Sequence, residues 1–319
     1  MKKVVVTGSV AYDYLMFFGG VFTEHLIQEQ LKTLSVSFLV DSLRRERGGT
    51  AANIAYTIAL LRGRPCVMAT VGIDFEEYRA WLEGHGVDTS ATVIVEGEYC
   101  ASFFANTDRR QNQIGSFYAG AMAHAAQLHF ADLAPDAELA IISPNAPDAM
   151  RSYVAECKAL GIRYIYDPSQ QTIRLSGEEL CEGIDGAYLV TVNAYELGMI
   201  EEKTGLNAAA IRNLAGGLLL THGAKGSELW VEDQYYQFPA VPPHKVAEPT
   251  GAGDAFRGGL LRGIQLALPW DVVGRIGALA ATYVLEQIGT QNHHYTPEDF
   301  IARYREHFDD RGALDALLP

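Results

Sequence analysis

Ala187-Tyr188-Leu189-Val190-Thr191-Val192 runs directly into Asn193-Ala194-Tyr195-Glu196 and on to Thr204. The first part is a short, continuous apolar run, the pattern of a strand buried on both faces of a parallel sheet. The second part predicts a helix over Ala194–Thr204. The same unit recurs in both directions. Similar apolar runs lie at Lys3–Val6, Cys66–Val71, Glu138–Ser143, Arg163–Asp167 and Gly217–Thr221. Helical stretches lie at Ala51–Leu61, Glu76–Glu83 and Pro147–Leu160. Strands alternating with helices imply an α/β class chain, a doubly wound α/β/α sandwich.

Two regions break the alternation. Short strands without crossover helices are expected at Tyr12–Phe18, Ser35–Val40, Tyr99–Asn106 and Gln113–Tyr118 (12–18, 35–40, 99–106 and 113–118). They predict a small separate β-sheet lid. An open sheet must cover its apolar face, so it closes over a ligand or pairs with another subunit. Val36, Phe38 and Val40 alternate with Ser35 and Ser37, which predicts a homodimer joined through that strand. The C-terminal third, from Asp254 through Phe308, reads as mostly helical. With no repeat, low-complexity tract or Pro/Ser-rich linker, one domain over 1–319 is expected.

The chain has 319 residues, 48% of them hydrophobic, enough for a sizeable core. Its formal net charge of −14 excludes nucleic acid or an anionic membrane as the main partner, since both need a basic face. No run of about 18 apolar residues exists, so no membrane-spanning helix is expected. In MKKVVVTGS two lysines precede only three valines, too short a run for a signal peptide. A cytoplasmic protein is expected. Cys66, Cys100, Cys157 and Cys181 form no CxxC pair, and buried free thiols are expected rather than a zinc site.

Four segments carry chemistry. In Thr250-Gly251-Ala252-Gly253-Asp254-Ala255-Phe256, glycines bring backbone N–H groups close to a ligand at the start of a helix, where anions bind. Asp254 there is either an N-cap or a general base that takes a proton from an attacking hydroxyl. In Arg47-Gly48-Gly49-Thr50-Ala51-Ala52-Asn53, paired glycines open a helix of small residues. They serve close helix–sheet packing, or a polyol lies on Gly48 and Gly49 while Asn53 bonds a hydroxyl. Asp13 is a turn residue or an acceptor for a vicinal diol. Asn193-Ala194-Tyr195-Glu196 ends a strand, where ligands collect in doubly wound sheets. Glu196 is an ordinary first-turn acid, or it holds water on a magnesium ion. Thr221-His222-Gly223-Ala224-Lys225-Gly226 is a tight turn or a backbone approach to a nucleotide. GxxxxGK[ST], GxGxxG and the HRD and DFG signatures are all absent.

GGTAANIA, NAYE, THGAKG and PTGAGDAF occur in the order found in the ribokinase-like, PfkB-type sugar and nucleoside kinases, and this chain resembles that family over most of its length. The resemblance implies a ribokinase-like fold with Asp254 as catalytic base and Gly251, Ala252 and Gly253 as anion hole. It places Asn193 and Glu196 at the magnesium and phosphate region, and Thr221, Gly223 and Gly226 on the nucleotide side. GSVAYDYLM, LSVSFLVDSL and DPSQQ look like the actinobacterial type of adenosine kinase. Ribokinases carry a lysine soon after the paired glycines; here Thr50 and Ala51 stand there. This narrower resemblance implies that Asp13 and Asn53 hold ribose hydroxyls and that Gln170 and Gln171 lie at the adenosine pocket. It also implies that Phe103 and Phe117 sandwich the purine and that lid strands of two subunits pair. Stacking suits a purine face. ATP with Mg2+ is the implied donor and adenosine the acceptor, with another nucleoside or a free sugar as the alternative, and a non-catalytic ligand-binding homologue as a further one. Glu248 stands where the family has Asp, so a monovalent cation such as K+ is an open expectation. His293 and His294 are read as loop residues near the nucleotide edge.

Overall fold

The structure, a computed structural model, describes residues 3–25 and 36–318. Thirteen strands form two sheets among them: β1 Val4–Thr7, β2 Ala11–Phe18, β3 Ser42–Gly48, β4 Cys66–Val71, β5 Thr92–Ile94, β6 Ala101–Asp108, β7 Gln113–Tyr118, β8 Leu139–Ile142, β9 Arg163–Tyr166, β10 Leu189–Asn193, β11 Gly217–Thr221, β12 Ser227–Val231 and β13 Gln234–Phe238. The large sheet runs β13-β12-β11-β10-β9-β8-β1-β4-β5. It is parallel from β5 to β11, and β12 and β13 add an antiparallel edge.

Alternation along each strand divides the core in two. Val4 and Val6 join one apolar cluster and Val5 the other, and Leu139 and Ile141 part from Ala140 and Ile142 in the same way. Helices cover both faces, which is why these strands are continuous apolar runs. The expected doubly wound sandwich with a small lid sheet is the observed fold. The helices expected at Pro147–Leu160 and Ala194–Thr204 have those bounds.

The strand order reverses between β1 and β8, so a crevice opens beyond their carboxyl ends. Helix Ala252–Gln265 points its start at that crevice. It packs against helix Thr50–Leu60, and a Cβ on Gly258 would come within 2.8 Å of the Ile54 carbonyl oxygen. Only glycine permits so close a crossing, which brings Asp254 beside Asn53.

The lid sheet runs β3-β2-β6-β7. Its second strand is Ser42–Gly48, not the expected 35–40. Ser35 lies outside the described residues, and 36–40 form no strand. Phe38 is instead covered by its own chain, with its ring 5.0 Å from Phe18 and 4.9 Å from Phe22. The true strand, SLRRERG, reads as polar because its charges are matched across space. Arg45 and Arg47 pair with Glu77, and Arg47 lies over the Trp81 ring.

Cys66, Cys100 and Cys157 are buried free thiols, whereas Cys181 is half-buried. No helix of the described residues is long and apolar enough to cross a membrane.

Candidate active site

Asp254 lies in the first turn of helix Ala252–Gln265, behind Gly251 at the N-cap. Gly251 has φ +84°, a left-handed conformation that side chains disfavour. Asp254 Oδ2 accepts a hydrogen bond from Asn53 Nδ2 at 2.8 Å. Asn53 Oδ1 in turn accepts from Gln291 Nε2 at 2.9 Å and faces Thr290 Oγ1 at 2.8 Å. These bonds orient the amide, so Asn53 aims its N–H group at the carboxylate. Burial pushes the Asp254 carboxyl up from the usual carboxylate range, opposed by Arg257 and by the Asn53 bond. A raised pKa strengthens a carboxylate as a proton acceptor.

Asp254 opens onto a cavity of about 260 Å³. Of the residues singled out in the sequence, Gln170, Asn193, Glu196, Thr221, Gly251 and Gly253 also line it. A second cavity, about 180 Å³, is lined by Ser9, Phe117, Met122, Pro144, Gln170, Gln171 and Arg174. Gln170 lines both, and Ser9 of the second is bonded to Thr50 of the first, with Thr50 N donating to Ser9 Oγ at 3.0 Å. The two cavities are therefore neighbouring parts of one crevice.

Glu46, Asp13, Phe103 and Phe117 stand opposite one another across the four lid strands, hence on one face. Phe103 and Phe117 are direct cross-strand neighbours. Their side chains lie side by side on that face, and Phe117 lines the second cavity. Asp13 touches the Gly48 backbone, since a Cβ there would lie 2.6 Å from Asp13 Oδ2. Burial first, then Glu248, Asp254 and Glu46, pushes the Asp13 carboxyl up to about 6.

Asn193 and Glu196 form a capping box. Glu196 accepts from Asn193 N at 2.8 Å and Nδ2 at 2.7 Å, while Asn193 Oδ1 accepts from Glu196 N at 2.9 Å. The first-turn reading of Glu196 is thus what its bonds display, yet the carboxylate also lines the cleft. A carboxylate has about four acceptor positions, so oxygens remain for water on a metal ion. That donor set fits Mg2+, which keeps several waters.

Gly223 and Gly226 make a tight turn closed by Gly226 N to Gly223 O at 3.0 Å, and only Thr221 of that segment lines the cleft. Gly49 caps helix Thr50–Leu60, and Ala252 starts helix Ala252–Gln265. Glu248 Oε2 accepts from Gly289 N at 3.0 Å, so the longer carboxylate ties down that loop. His293 departs from the expectation of a nucleotide-edge residue. It is buried against Tyr56, 5.2 Å between ring centroids, and burial first, then His294, lowers its pKa to about 4. His294 is exposed.

The sequence reading gave no role to a charged pair at the cleft, Arg257 and the buried Asp167 behind it. Arg257 lines the cavity beside Asp254. Asp167, fully buried just after β9, lies 2.6 Å from Arg257 Nε. Each had a signal: Arg257 follows Asp254 by one helical turn, and Asp167 ends a strand at the ligand edge of the sheet.

A family model described as pfkB family carbohydrate kinase matches residues 1–297. A nucleoside kinase of Burkholderia thailandensis, solved in complex with inosine, is 35% identical with a TM-score of 0.85, covering 96% of this chain and 98% of that one. The nucleoside kinase of Methanocaldococcus jannaschii, an archaeal member of the ribokinase family, is 26% identical with a TM-score of 0.85, covering 96% of this chain and 99% of that one. A nucleoside kinase of Methanothermobacter thermautotrophicus is 28% identical over 297 residues, 91% of each chain.

Proposed function

The chain belongs to the pfkB family of carbohydrate kinases and is a phosphotransferase, and within that family we propose that it is an ATP-dependent nucleoside kinase acting on purine nucleosides. The observation that carries this reading is the crevice itself: Gln170 joins a cleft headed by Asp254 to a chamber walled by Phe117. A free sugar has no flat face to set on such a wall. The sequence alone placed adenosine first; the inosine held by the Burkholderia relative favours the alternative, another nucleoside. Gln171, buried with its Oε1 unpartnered in that chamber, is suited to the edge of a purine.

In this reading the nucleoside 5′-hydroxyl attacks the γ-phosphorus of ATP. The oxygen–phosphorus bond to the nucleoside forms as the β,γ-bridging bond breaks, and ADP leaves with the electron pair. Asp254 takes the hydroxyl proton on Oδ1, the oxygen that does not accept from Asn53. Asn53 holds the other oxygen. Backbone N–H groups at Gly251–Gly253 stabilise the charge on the phosphoryl oxygens. Asp13 and the Gly48–Gly49 backbone hold the ribose, Phe103 and Phe117 the base, and Thr221 and the Gly223–Gly226 turn the nucleotide. Glu196 and Asn193 would hold Mg2+, which would supply neutralisation of phosphate charge. Glu248 keeps the Gly289 loop closed, the place where a monovalent cation would act. The lid excludes water, and its outer face joins two copies in a homodimer.

ADP release measured with inosine, guanosine, adenosine, cytidine and ribose tests the reading. Purine nucleosides are expected to give the highest kcat/KM. Ribose as the preferred acceptor would overturn the acceptor assignment.

A further inference from the structure

We propose that Arg257 is a second catalytic residue, whose guanidinium holds the phosphoryl group as it passes from ATP to the nucleoside, and that Asp167 is the positioning residue that aims it. The proposal rests on the reading of this cleft as the site of phosphoryl transfer.

Arg257 and Asp254 are one turn apart on helix Ala252–Gln265 and both line the cleft. Arg257 Nη1 lies 3.8 Å from Asp254 Oδ1. The same nitrogen lies 2.7 Å from the position a Cβ on Gly253 would take, so it sits against the glycine that opens the helix. On its far side Nε lies 2.6 Å from Asp167 Oδ2. The end of the guanidinium is thus presented where the helix start presents its N–H groups. Among the described residues lining this cleft it is the single cation, beside the acids Asp254 and Glu196. The transferred group carries charge on three oxygens, and a planar guanidinium matches that geometry.

A purely structural role accounts less well for this arrangement. Elsewhere in this protein an arginine that neutralises a buried acid bonds both carboxylate oxygens, as Arg305 does with Asp310 through Nε and Nη2. Arg303 gives Nη1 to Glu286 Oε2 at 2.9 Å and Nη2 to Oε1 at 2.6 Å. Arg257 meets Asp167 through Nε at 2.6 Å as a buried ion pair, and no second donor is hydrogen-bonded to either Asp167 oxygen. A buried pair in that geometry is costly, and apolar residues would fill the space at less expense to stability. Its retention is explained if the nitrogens are kept for a ligand. Burial opposes the charge on Arg257, but Asp167, Asp254 and Glu196 outweigh it and keep the group ionised.

The test uses the full chain with MgATP and inosine, comparing Arg257→Gln, Arg257→Lys, Asp167→Asn and Asp254→Asn. Arg257→Gln is expected to lower kcat about 10²–10³-fold, as for loss of one preorganised donor, with the nucleoside KM within a few-fold. Arg257→Lys keeps the charge but not the fork and is expected to fall between Gln and wild type. Arg257→Gln also removes the charge that lowers the Asp254 pKa, so the acid limb of its kcat profile moves to higher pH. Asp167→Asn leaves the cation in place but unaimed, lowering kcat less than Arg257→Gln does. An Arg257→Gln enzyme with wild-type kcat and an unmoved acid limb would overturn the proposal. So would a loss of nucleoside binding and thermal stability in step with kcat, unrelieved in Arg257→Lys. If the Gln variant does not fold, Arg257→Lys decides: wild-type kcat overturns the proposal, and reduced kcat at unchanged nucleoside KM supports it. A normal Asp254→Asn enzyme beside an impaired Arg257→Gln enzyme would remove the base assignment while leaving the arginine in place.

Discussion

Replacing Asp254 with Asn changes one atom and removes one charge. The asparagine oxygen still accepts from Asn53 Nδ2, the bond now made at 2.8 Å. Arg257 loses its ion pair with Oδ1 at 3.8 Å but keeps Asp167, and a desolvated carboxylate becomes a neutral amide, two effects of opposite sign. Stability is therefore expected to change by no more than about 1 kcal/mol. The ribose and base contacts are untouched, so nucleoside and ATP binding should hold within a few-fold. What disappears is the acceptor for the hydroxyl proton. General bases contribute roughly 10²–10⁴-fold, or about 2.7–5.5 kcal/mol of barrier. The loss stops there because the glycine N–H groups and Arg257 remain. Wild type should also display an acid limb displaced upward from the ordinary carboxylate range, because burial raises the Asp254 pKa. The base works only when ionised, so turnover is lost as pH falls through that raised value. The variant should lack this limb. ADP release from pH 4 to 9, with nucleoside binding by calorimetry, measures both. Turnover near wild type, or an unchanged acid limb, would refute the assignment.

Phe117→Ala is expected to cost about 1–3 kcal/mol of purine nucleoside binding, roughly 5- to 150-fold in Kd, while any ribose turnover changes much less; equal losses would make the ring scaffold only. Asp13 has its pKa raised to about 6, so the folded protein binds a proton there more tightly than the unfolded chain. The sign follows: this carboxyl contributes stability that is full below its unfolded value and is lost as pH rises from about 4 to 6. Asp13→Asn should then flatten that part of the stability curve and raise stability at pH 8 by about 1–2 kcal/mol, seen by denaturant titration at pH 5 and 8, and an unaltered curve would exclude it. Leu43, Phe104 and Ile114 lie on the lid face opposite the Asp13 row, with 61%, 39% and 46% of their surface exposed. A homodimer through that face should dissociate in Leu43→Glu, read by sedimentation, whereas Phe38→Glu should loosen the lid of each protomer; a dimer indifferent to Leu43→Glu lies elsewhere.

The strands from β1 to β11 of the large sheet that were legible in the sequence are those whose surroundings are uniform. A parallel strand under helices on both faces needs apolar residues at every position, so β4 and β11 have the same bounds in sequence and structure. The hairpin of β12 and β13 was not legible. Its turn places Glu232 and Asp233 at φ +51° and +59°, without the glycine that marks such turns. Strand β3 was hidden because its arginines find Glu77 across space, and a charge run carries no sign of its partner. The site divides along the same line. Glycine, asparagine and aspartate motifs are local, and a local motif announces a helix start and an acid beside it. Three things were decided by the tertiary structure alone: that Phe103 and Phe117 share one face of one sheet, that Asn53 is locked by Thr290 and Gln291 onto Asp254, and that Asp167 meets Arg257. Each joins residues remote in the chain whose approach is set by strand register and helix crossing, and neither of those is written in any single segment.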